Sequence, residues 1–252
     1  MLGEVRQQKV VEMLIHQKSV RIGELSEFFD VSEETIRRDL KKLESDGLLK
    51  RTHGGAVIND EVDVVPSYIL RSQQNIMEKR KIAALAADLV PDDGTVMLDG
   101  GSTTLEIVKN LANRRVTVIT SDLYIALEAS KSLHLQLIVL GGMQQKGTSA
   151  LIGPECVERV RGYNVDVVFL GTGGLGARQG LTTASSAEAE VKRAMMKAGE
   201  RVYCVADASK FGRAALVSYA AINDVKAIIT DAPQDNQIVQ DMQEAGATFH
   251  FA

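Results

Sequence analysis

Residues 32–46, which read SEETIRRDLKKLESD, constrain the fold of this chain more than any other segment. Ser32 suits the N-cap of a helix, acidic residues follow it in the first turn, and Gly47 suits the helix end. Arg37 with Lys41 and Arg38 with Lys42 form like-charged i, i+4 pairs. Such pairs repel each other slightly, so an anion such as a DNA phosphate would stabilise them. A solvated basic face on an ordinary surface helix is the alternative interpretation of this segment.

Two amphipathic segments precede this helix. Residues 6–17 and residues 21–29 each carry apolar side chains on one side, and only Asp30 and Val31 separate the second segment from Ser32. Two short helices, a tight turn and a capped third helix predict a helix-turn-helix, whose second helix reads base edges in the major groove. The side chains predicted to contact DNA from this helix are Ser32, Glu34, Thr35, Arg37, Arg38, Lys41 and Lys42.

Residues 48–57, LLKRTHGGAV, follow as two short extended runs around a basic tip. We interpret them as a wing, with Lys50, Arg51 and His53 available for phosphate or for the minor groove. Residues 37–51 contain six basic residues (37, 38, 41, 42, 50 and 51) and three acidic ones (39, 44 and 46), whereas the whole chain has a net charge of -4. The positive charge is local, so the acidic total does not argue against DNA binding.

These segments resemble the DeoR family of bacterial transcriptional regulators. Arg6, Val10, Leu14, Ser32 and the unbroken run TIRRDL at residues 35–40 match the family signature, and RTHGGA at residues 51–56 is similar to its wing. The resemblance covers nearly all of the chain. It implies a repressor that binds double-stranded operator DNA as a dimer or tetramer. Oligomerisation is also expected because one helix-turn-helix reads only a few base pairs, and two half-sites are needed for usable specificity.

A chain of 252 residues suits one small domain and one of ordinary size. We predict a winged helix-turn-helix domain over residues 1–57, an acidic linker over residues 58–70 and a second domain over residues 71–252. No apolar run approaches the roughly 18 residues of a membrane span, and Cys156 and Cys204 lack any ligand spacing. The expectation is a cytoplasmic protein with no membrane partner, no bound metal, no cofactor and no catalytic residue.

The second domain reads as alternating strands and helices, which predicts an α/β fold. Its strands are apolar with little alternation, as in an open, mostly parallel sheet that helices cover on both faces. The predicted strands are residues 95–98, 116–119, 135–140, 165–170, 201–206, 226–230 and 248–251. The predicted helices are an interrupted segment over residues 67–89, and residues 103–112, 122–130, 154–161, 187–199 and 236–245.

In open sheets of this kind, ligands bind beyond the carboxyl ends of the strands. The loop at residues 99–104, DGGSTT, follows one predicted strand and opens a helix, so its glycines, N–H groups and hydroxyls suit a phosphate. A tight strand-helix turn with a serine cap is the alternative. The residues predicted from such strand ends to bind an effector are Asp99, Gly100, Gly101, Ser102, Thr103, Thr104, Thr120, Ser121, Gly141, Gly142, Gly171 and Lys210. The alternative for Lys210 is an ordinary surface lysine.

The DeoR resemblance adds Thr182 to this set and implies a phosphorylated sugar as effector. It also implies a sensor fold similar to that of ribose-5-phosphate isomerase, glucosamine-6-phosphate deaminase and CoA transferases. An isomerase-like enzyme with a DNA-binding appendage is therefore the alternative function. Where the isomerases carry an acid-rich stretch, this chain has DVVFL at residues 166–170, so proton transfer lacks its base.

The run at residues 171–176 fits GxGxxG and invites a third hypothesis, a nicotinamide-dependent protein. In that fingerprint the last glycines open a helix directly, but here residues 177–186 intervene. The acidic residue expected to bind the ribose is also missing. We therefore interpret the run as a glycine-rich loop that lines the predicted effector pocket.

Overall fold

The computed structural model describes residues 3–45, 49–57, 71–72 and 74–252. It divides the chain into two compact units, Met1–Gln74 and Asn75–Ala252. The predicted linker at residues 58–70 lies outside the described residues, as do Gly47 and the predicted last residue of the basic helix, residue 46.

Up to residue 57, the described part of the first unit contains three helices and a three-stranded antiparallel sheet. In chain order they are α1 Gly3–Gln17, β1 Ser19–Arg21, α2 Ile22–Phe29, α3 Glu33–Ser45, β2 Lys50–Thr52 and β3 Gly55–Val57. The sheet order is β1-β3-β2. The predicted helix-turn-helix and wing are confirmed. The strand β1 was not predicted, and Arg21, expected to begin α2, instead ends β1.

The core of this unit consists of the apolar stripes that the helical spacing predicted. Ile36 and Leu40 of α3 are fully buried against Leu14 of α1 and Leu25 of α2. At the root of the wing, a β-carbon on Gly55 would lie 1.9 Å from the carbonyl oxygen of Val20. Only glycine permits β3 to approach β1 so closely, which is why a glycine stands at this position.

Among its described residues the second unit has six α-helices and twelve strands, numbered on from the first unit, and a short 3-10 helix at Ala208–Lys210. The helices are α4 Ile76–Asp88, α5 Ser102–Leu111, α6 Leu123–Ala129, α7 Pro154–Arg161, α8 Ser186–Ala198 and α9 Gln237–Glu244. The strands are β4 Thr95–Leu98, β5 Val116–Thr120, β6 Leu135–Val139, β7 Met143–Gln144, β8 Leu151–Ile152, β9 Val165–Gly171, β10 Gly174–Gly176, β11 Gly180–Thr183, β12 Gly199–Val205, β13 Val217–Ala220, β14 Ala227–Thr230 and β15 Phe249–Phe251.

Seven of these strands form one parallel sheet in the order β15-β14-β12-β9-β4-β5-β6. They are the seven strands that the sequence predicted. Side chains alternate between the two faces: Val168 and Leu170 of β9 pack with α7, α8 and α9, whereas Val167 and Phe169 pack with α4, α5 and α6. The result is a three-layer α/β sandwich, in agreement with the predicted fold class.

The strand order reverses between β4 and β9. From β4 the chain proceeds through β5 to the edge strand β6, and β9 then pairs with the other side of β4. Such a switch point leaves a crevice at the carboxyl ends of the two strands, where ligands of open α/β sheets bind. A small antiparallel sheet, β10-β11-β13, and the hairpin β7–β8 follow strands that end at this edge. These five short strands were not predicted.

Candidate DNA interface and effector site

The basic helix α3 begins with the predicted cap. The N–H of Thr35 donates to Ser32 Oγ at 3.3 Å, and the two side-chain hydroxyl oxygens lie 2.9 Å apart. Both hydroxyls therefore take part in the capping turn. Because Ser32 is exposed and Thr35 partly so, the start of the helix stays accessible.

Arg37 is less free than the sequence suggests. Its guanidinium donates to Glu33 Oε2 at 2.8 Å and lies 3.9 Å from Glu34 Oε2. These acidic residues offset the repulsion predicted between Arg37 and Lys41. The other cationic residues on this helix, Arg38, Lys41 and Lys42, are exposed, and no ion pair joins them to any part of the chain that the structure describes. They form the least neutralised part of the predicted DNA-reading surface.

A buried ion pair sets the position of α3. Arg6 Nε of α1 donates to Asp39 Oδ2 at 2.6 Å, and Gln7 donates to the other oxygen of the same carboxylate at 2.8 Å. Arg6 and Asp39 are both less than a tenth exposed. Removing one partner of a buried pair costs about 3–5 kcal/mol. Two residues of the family signature thus orient the helix rather than contact DNA.

Hydrogen bonds to Glu44 connect the wing to α3. The backbone N–H and the Nε of Arg51 each donate to this carboxylate at 2.8 Å. The backbone hydrogen bond from Arg51, followed by its side-chain hydrogen bond, lowers the pKa of Glu44. Arg51 therefore holds the wing in place, a role that the sequence analysis did not predict, and any phosphate would compete with Glu44 for its guanidinium. Lys50 and His53 are exposed on the wing.

In the second unit, Asp99 lies where β4 ends and joins the two sides of the switch point. Its Oδ2 accepts the N–H of Gly171, at the end of β9, at 2.9 Å and also pairs with the ammonium of Lys192 from α8. The same ammonium donates to the carbonyl oxygen of Gly171 at 3.1 Å and lies 3.4 Å from Glu188 Oε1. Lys192 and Glu188 were not predicted to belong to the site.

Burial and charge oppose each other in this cluster. Burial lowers the pKa of Lys192, but the carboxylates of Asp99 and Glu188 raise it more, so it lies above its ordinary value. Burial raises the pKa of Asp99, with Lys192 opposing the shift. Burial also raises the pKa of Glu188, but the charge of Lys192 and hydrogen bonds from Thr183, Lys192 and Gln145 together lower it by more, so the net shift is downward. Lys192 is therefore an ammonium at neutral pH, held between two carboxyl groups.

The hairpin and the small sheet enclose this cluster. Gln145, just after β7, donates to Glu188 at 3.4 Å and accepts a hydrogen bond from Ser185 at 2.9 Å. The hydroxyl of Tyr219 on β13 donates to the carbonyl oxygen of Gly171 at 2.9 Å, and the ammonium of Lys192 lies 5.4 Å from the centre of the Tyr219 ring. The unpredicted strands thus supply the walls of the crevice.

The predicted phosphate loop opens α5, which begins at Ser102. The first N–H groups of a helix have no acceptor within it, and they attract anions. A β-carbon on Gly101 would have one neighbour within 4 Å, the Thr104 hydroxyl at 3.3 Å, so the protein leaves room beside this backbone. The Thr104 hydroxyl itself donates to the carbonyl oxygen of Gly101 at 2.9 Å. The N–H groups, more than this hydroxyl, are available to a ligand.

Several other predicted effector residues hold the fold of the site together. The Thr120 hydroxyl donates to the carbonyl oxygen of Leu98 at 2.8 Å, and the Thr182 hydroxyl donates to that of Gly174 at 2.7 Å. Ser121 is buried, with 2% of its surface exposed. Gly142 has φ +146°, and a β-carbon there would lie 2.7 Å from the carbonyl oxygen of Ile152.

Three further residues of the predicted set, Gly100, Gly141 and Ser102, differ in what surrounds them. A β-carbon on Gly100 would lie 3.0 Å from the buried carboxylate of Asp122, which caps α6. Around Gly141 nothing lies within 4 Å of such an atom. Ser102, like Thr103, is buried in the first turn of α5.

Lys210 lies in a turn after β12, two strands from β4. Burial by itself would raise the pKa of the neighbouring Asp207, but hydrogen bonds from Ser209 and then the charge of Lys210 help to lower it below its usual value. Asn75, at the start of α4, donates to Asp207 Oδ1 at 2.9 Å. The predicted cation is thus part of a second polar cluster, which connects the end of β12 to the first residue of the unit.

A surface groove of about 480 Å³ lies along β11 and β13, between Arg178, Ser218 and Ile222. It contains none of the predicted effector residues. Among the described residues no group of three or more His, Cys, Asp or Glu side chains is placed to hold a metal ion. In the same part of the chain, no helix is both long and apolar enough to cross a membrane.

A winged helix-turn-helix followed by a parallel α/β domain with a polar crevice defines a DNA-binding transcriptional regulator with a ligand-binding domain. Comparison with known families agrees with this class. The DeoR-like helix-turn-helix domain matches residues 6–62, and the DeoR C terminal sensor domain matches residues 74–232. The chain belongs to the DeoR family of transcriptional regulators.

Relatives of known name are similar along most of their length. The transcriptional repressor AccR of Agrobacterium fabrum is 38% identical over 90% of this chain and 89% of its own. The regulator GlpR of Haloferax volcanii is 32% identical over 98% and 97%, and the repressor GlcR of Bacillus subtilis is 32% identical over 92% and 89%. These relatives are regulators or repressors and not enzymes, which supports the leading hypothesis over the isomerase alternative.

Among solved structures, ribose 5-phosphate isomerase A of Methanocaldococcus jannaschii has a TM-score of 0.41 and 19% identity over 55% of each chain. The delta subunit of eIF2B from Chaetomium thermophilum has a TM-score of 0.43 and 19% identity over 63% of this chain and 57% of its own.

Proposed function

We propose that this regulator is a repressor of an operon of sugar metabolism, and that a phosphorylated sugar bound at the β4–β9 switch point controls its affinity for operator DNA. The observation that carries the proposal is the group of residues that meets at the β4–β9 switch point. Open backbone at Gly101 and the free N–H groups of α5 lie at one end of β4, next to the Asp99–Lys192 pair. The name of one relative, a putative aga operon transcriptional repressor of Escherichia coli, fits such a role.

The proposal includes a homo-oligomer. The exposed cations of α3 in one chain can contact only one short half-site. A two-fold assembly that binds two half-sites about 10 base pairs apart, or a multiple of this, supplies the specificity. Light scattering at the working concentration measures the oligomeric state. A monomer that still binds a single half-site tightly would contradict this part of the proposal.

A thermal-shift screen of sugar phosphates tests the effector. A ligand at about 100 times its dissociation constant stabilises the protein by roughly 2.7 kcal/mol. The ligand found in this way should change operator affinity in a gel-shift assay, and operator should change ligand affinity by the same factor, because coupling is reciprocal. Equal ligand affinities with and without operator would mean that the second domain is not the sensor.

The variant Gly101→Val tests whether the phosphate of the effector binds at the start of α5. The backbone of Gly101 is extended, with φ 166°, so valine is sterically permitted, but the new side chain fills the space left beside the helix start. We expect normal operator binding and no response to the sugar phosphate. Gly162→Val is the matched control, since a β-carbon there makes ordinary contact at 3.5 Å with a backbone oxygen of α7. A Gly101→Val protein that responds like the control would place the ligand elsewhere.

A further inference from the structure

The polar end of the crevice contains more carboxyl groups than ammonium groups. Two carboxyl groups, Asp99 and Glu188, surround one ammonium, Lys192, whose side chain is 2% exposed. The three N–H donors of this ammonium face three acceptors: Asp99 Oδ2, Glu188 Oε1 at 3.4 Å and the carbonyl oxygen of Gly171 at 3.1 Å. No donor of Lys192 remains for an anionic group of a ligand.

Acceptors, in contrast, remain available. Both hydrogen bonds to the Asp99 carboxylate go to Oδ2, and no donor among the described residues reaches Oδ1. Among the described residues this oxygen is not fully enclosed by protein atoms. It therefore keeps some access to solvent, although the Asp99 side chain as a whole is 6% exposed. The Glu188 side chain is 20% exposed, and its contact with Gln145 is long, at 3.4 Å. A carboxylate has about four acceptor positions, so both groups can accept hydroxyl donors.

We propose that Asp99 and Glu188 accept hydrogen bonds from hydroxyl groups at the unphosphorylated end of the effector. The sensor then selects sugar monophosphates over sugar bisphosphates and phosphorylated sugar acids. This inference rests on the proposed function, which places the phosphate at the start of α5. A hydroxyl-rich end donates to the two carboxylates. A second phosphate or a carboxylate there would face these two carboxyl groups, with every donor of Lys192 already occupied.

Calorimetry with matched ligand pairs tests the inference. The pairs are fructose 6-phosphate with fructose 1,6-bisphosphate, and glucose 6-phosphate with 6-phosphogluconate, with ribose 5-phosphate and inorganic phosphate alongside. We expect the wild-type protein to bind the monophosphate of a pair about 100-fold more tightly than its partner, since like-charge juxtaposition at a recognition site has an effect of this order.

Glu188→Gln removes one charge and keeps the size of the side chain. We expect this variant to reduce the discrimination within a pair about tenfold, because one of the two repelling carboxylates is gone. Glu190→Gln is the matched control, since Glu190 lies on the same helix and is exposed. It should leave the ratio unchanged.

The possible results separate this inference from the proposed function. If monophosphates bind but bisphosphates or sugar acids bind equally well, or if Glu188→Gln leaves the ratio at its wild-type value, the hydroxyl subsite is refuted and the sugar-phosphate sensor stands. If no sugar phosphate and no inorganic phosphate binds, the proposed effector class is refuted and this inference with it.

Discussion

Lys192→Met is expected to destabilise the sensor domain strongly. Methionine fills a similar volume but leaves Asp99, which is 4% exposed, without its cationic partner. Breaking a buried ion pair from one side costs about 3–5 kcal/mol. For a domain of 150–250 residues, each kcal/mol lowers the midpoint of thermal unfolding by about 2–4 °C, so the expected loss is roughly 6–20 °C. That is a large part of a typical stability of about 5–15 kcal/mol.

The loss should depend on pH in a defined direction. Burial raises the pKa of Asp99, and in the variant no ammonium opposes this shift. A carboxyl group whose folded-state pKa exceeds its unfolded value of about 3.9 binds its proton more tightly in the folded state. The variant should therefore recover stability as pH falls from 7 through that folded-state pKa. In the wild-type protein the pKa of Lys192 is raised, so its contribution persists at neutral pH and is lost only as pH rises through the folded-state pKa, above about 10.4.

Urea unfolding at pH 7 and pH 5 measures the loss of stability in the variant and its recovery at lower pH. The double variant Asp99→Asn with Lys192→Met also removes the carboxyl group that Lys192→Met leaves without a cationic partner. It should regain most of the lost free energy of unfolding. Lys197→Met, at an exposed position of the same helix, is the control and should change stability by less than about 0.5 kcal/mol. A Lys192→Met protein as stable as this control at pH 7 would refute the account of the ion pair.

Three further outcomes are expected. Arg38→Ala should weaken specific operator binding by about 1–3 kcal/mol without unfolding the protein, and an unaltered footprint would show that α3 is not the reading helix. Asn75→Ala, which removes the hydrogen bond to Asp207, should reduce the effect of the sugar phosphate on operator affinity in gel shifts, and unchanged coupling would contradict this. Burial raises the pKa of Cys204 to about 12, so a thiol reagent at pH 8 should label it only after denaturation, and rapid labelling of the folded protein would contradict its burial.

The main sheet and most helices were predictable because their signals are local. Strands buried on both faces read as apolar runs, and helix ends carry polar caps. Asp122 is an example: its carboxylate accepts the N–H groups of Tyr124 and Ile125 at the start of α6. The strands β10, β11 and β13 were missed because they span three to four residues each, and β10 and β11 consist mostly of glycine and threonine. Such segments carry too little apolar pattern to distinguish them from loops.

The cluster of Asp99, Glu188 and Lys192 was not predicted, for a different reason. Lys192 and Asp99 are 93 positions apart, and a single sequence gives no sign that they meet. Glu188 and Lys192 stand at i, i+4 on α8, a spacing that is typical of exposed pairs on helix surfaces. Asp166 shows the converse. It belongs to the stretch compared with the acids of isomerases, but it lies at the amino end of β9, where its carboxylate accepts the N–H and the hydroxyl of Thr95 at 2.7 Å.

The reversal of strand order between β4 and β9 also sets a sequence of events during synthesis. The last strand of the wing ends at residue 57, and β4, β5 and β6 can pair as soon as residue 139 has left the ribosome. The opposite half of the sheet begins only with β9, at residues 165–171. Domains fold in order of emergence, and pairings between distant segments form slowly. The nascent chain therefore folds its DNA-binding part well before its sensor domain. The crevice lies between the two halves of the sheet, so it is among the last features to form.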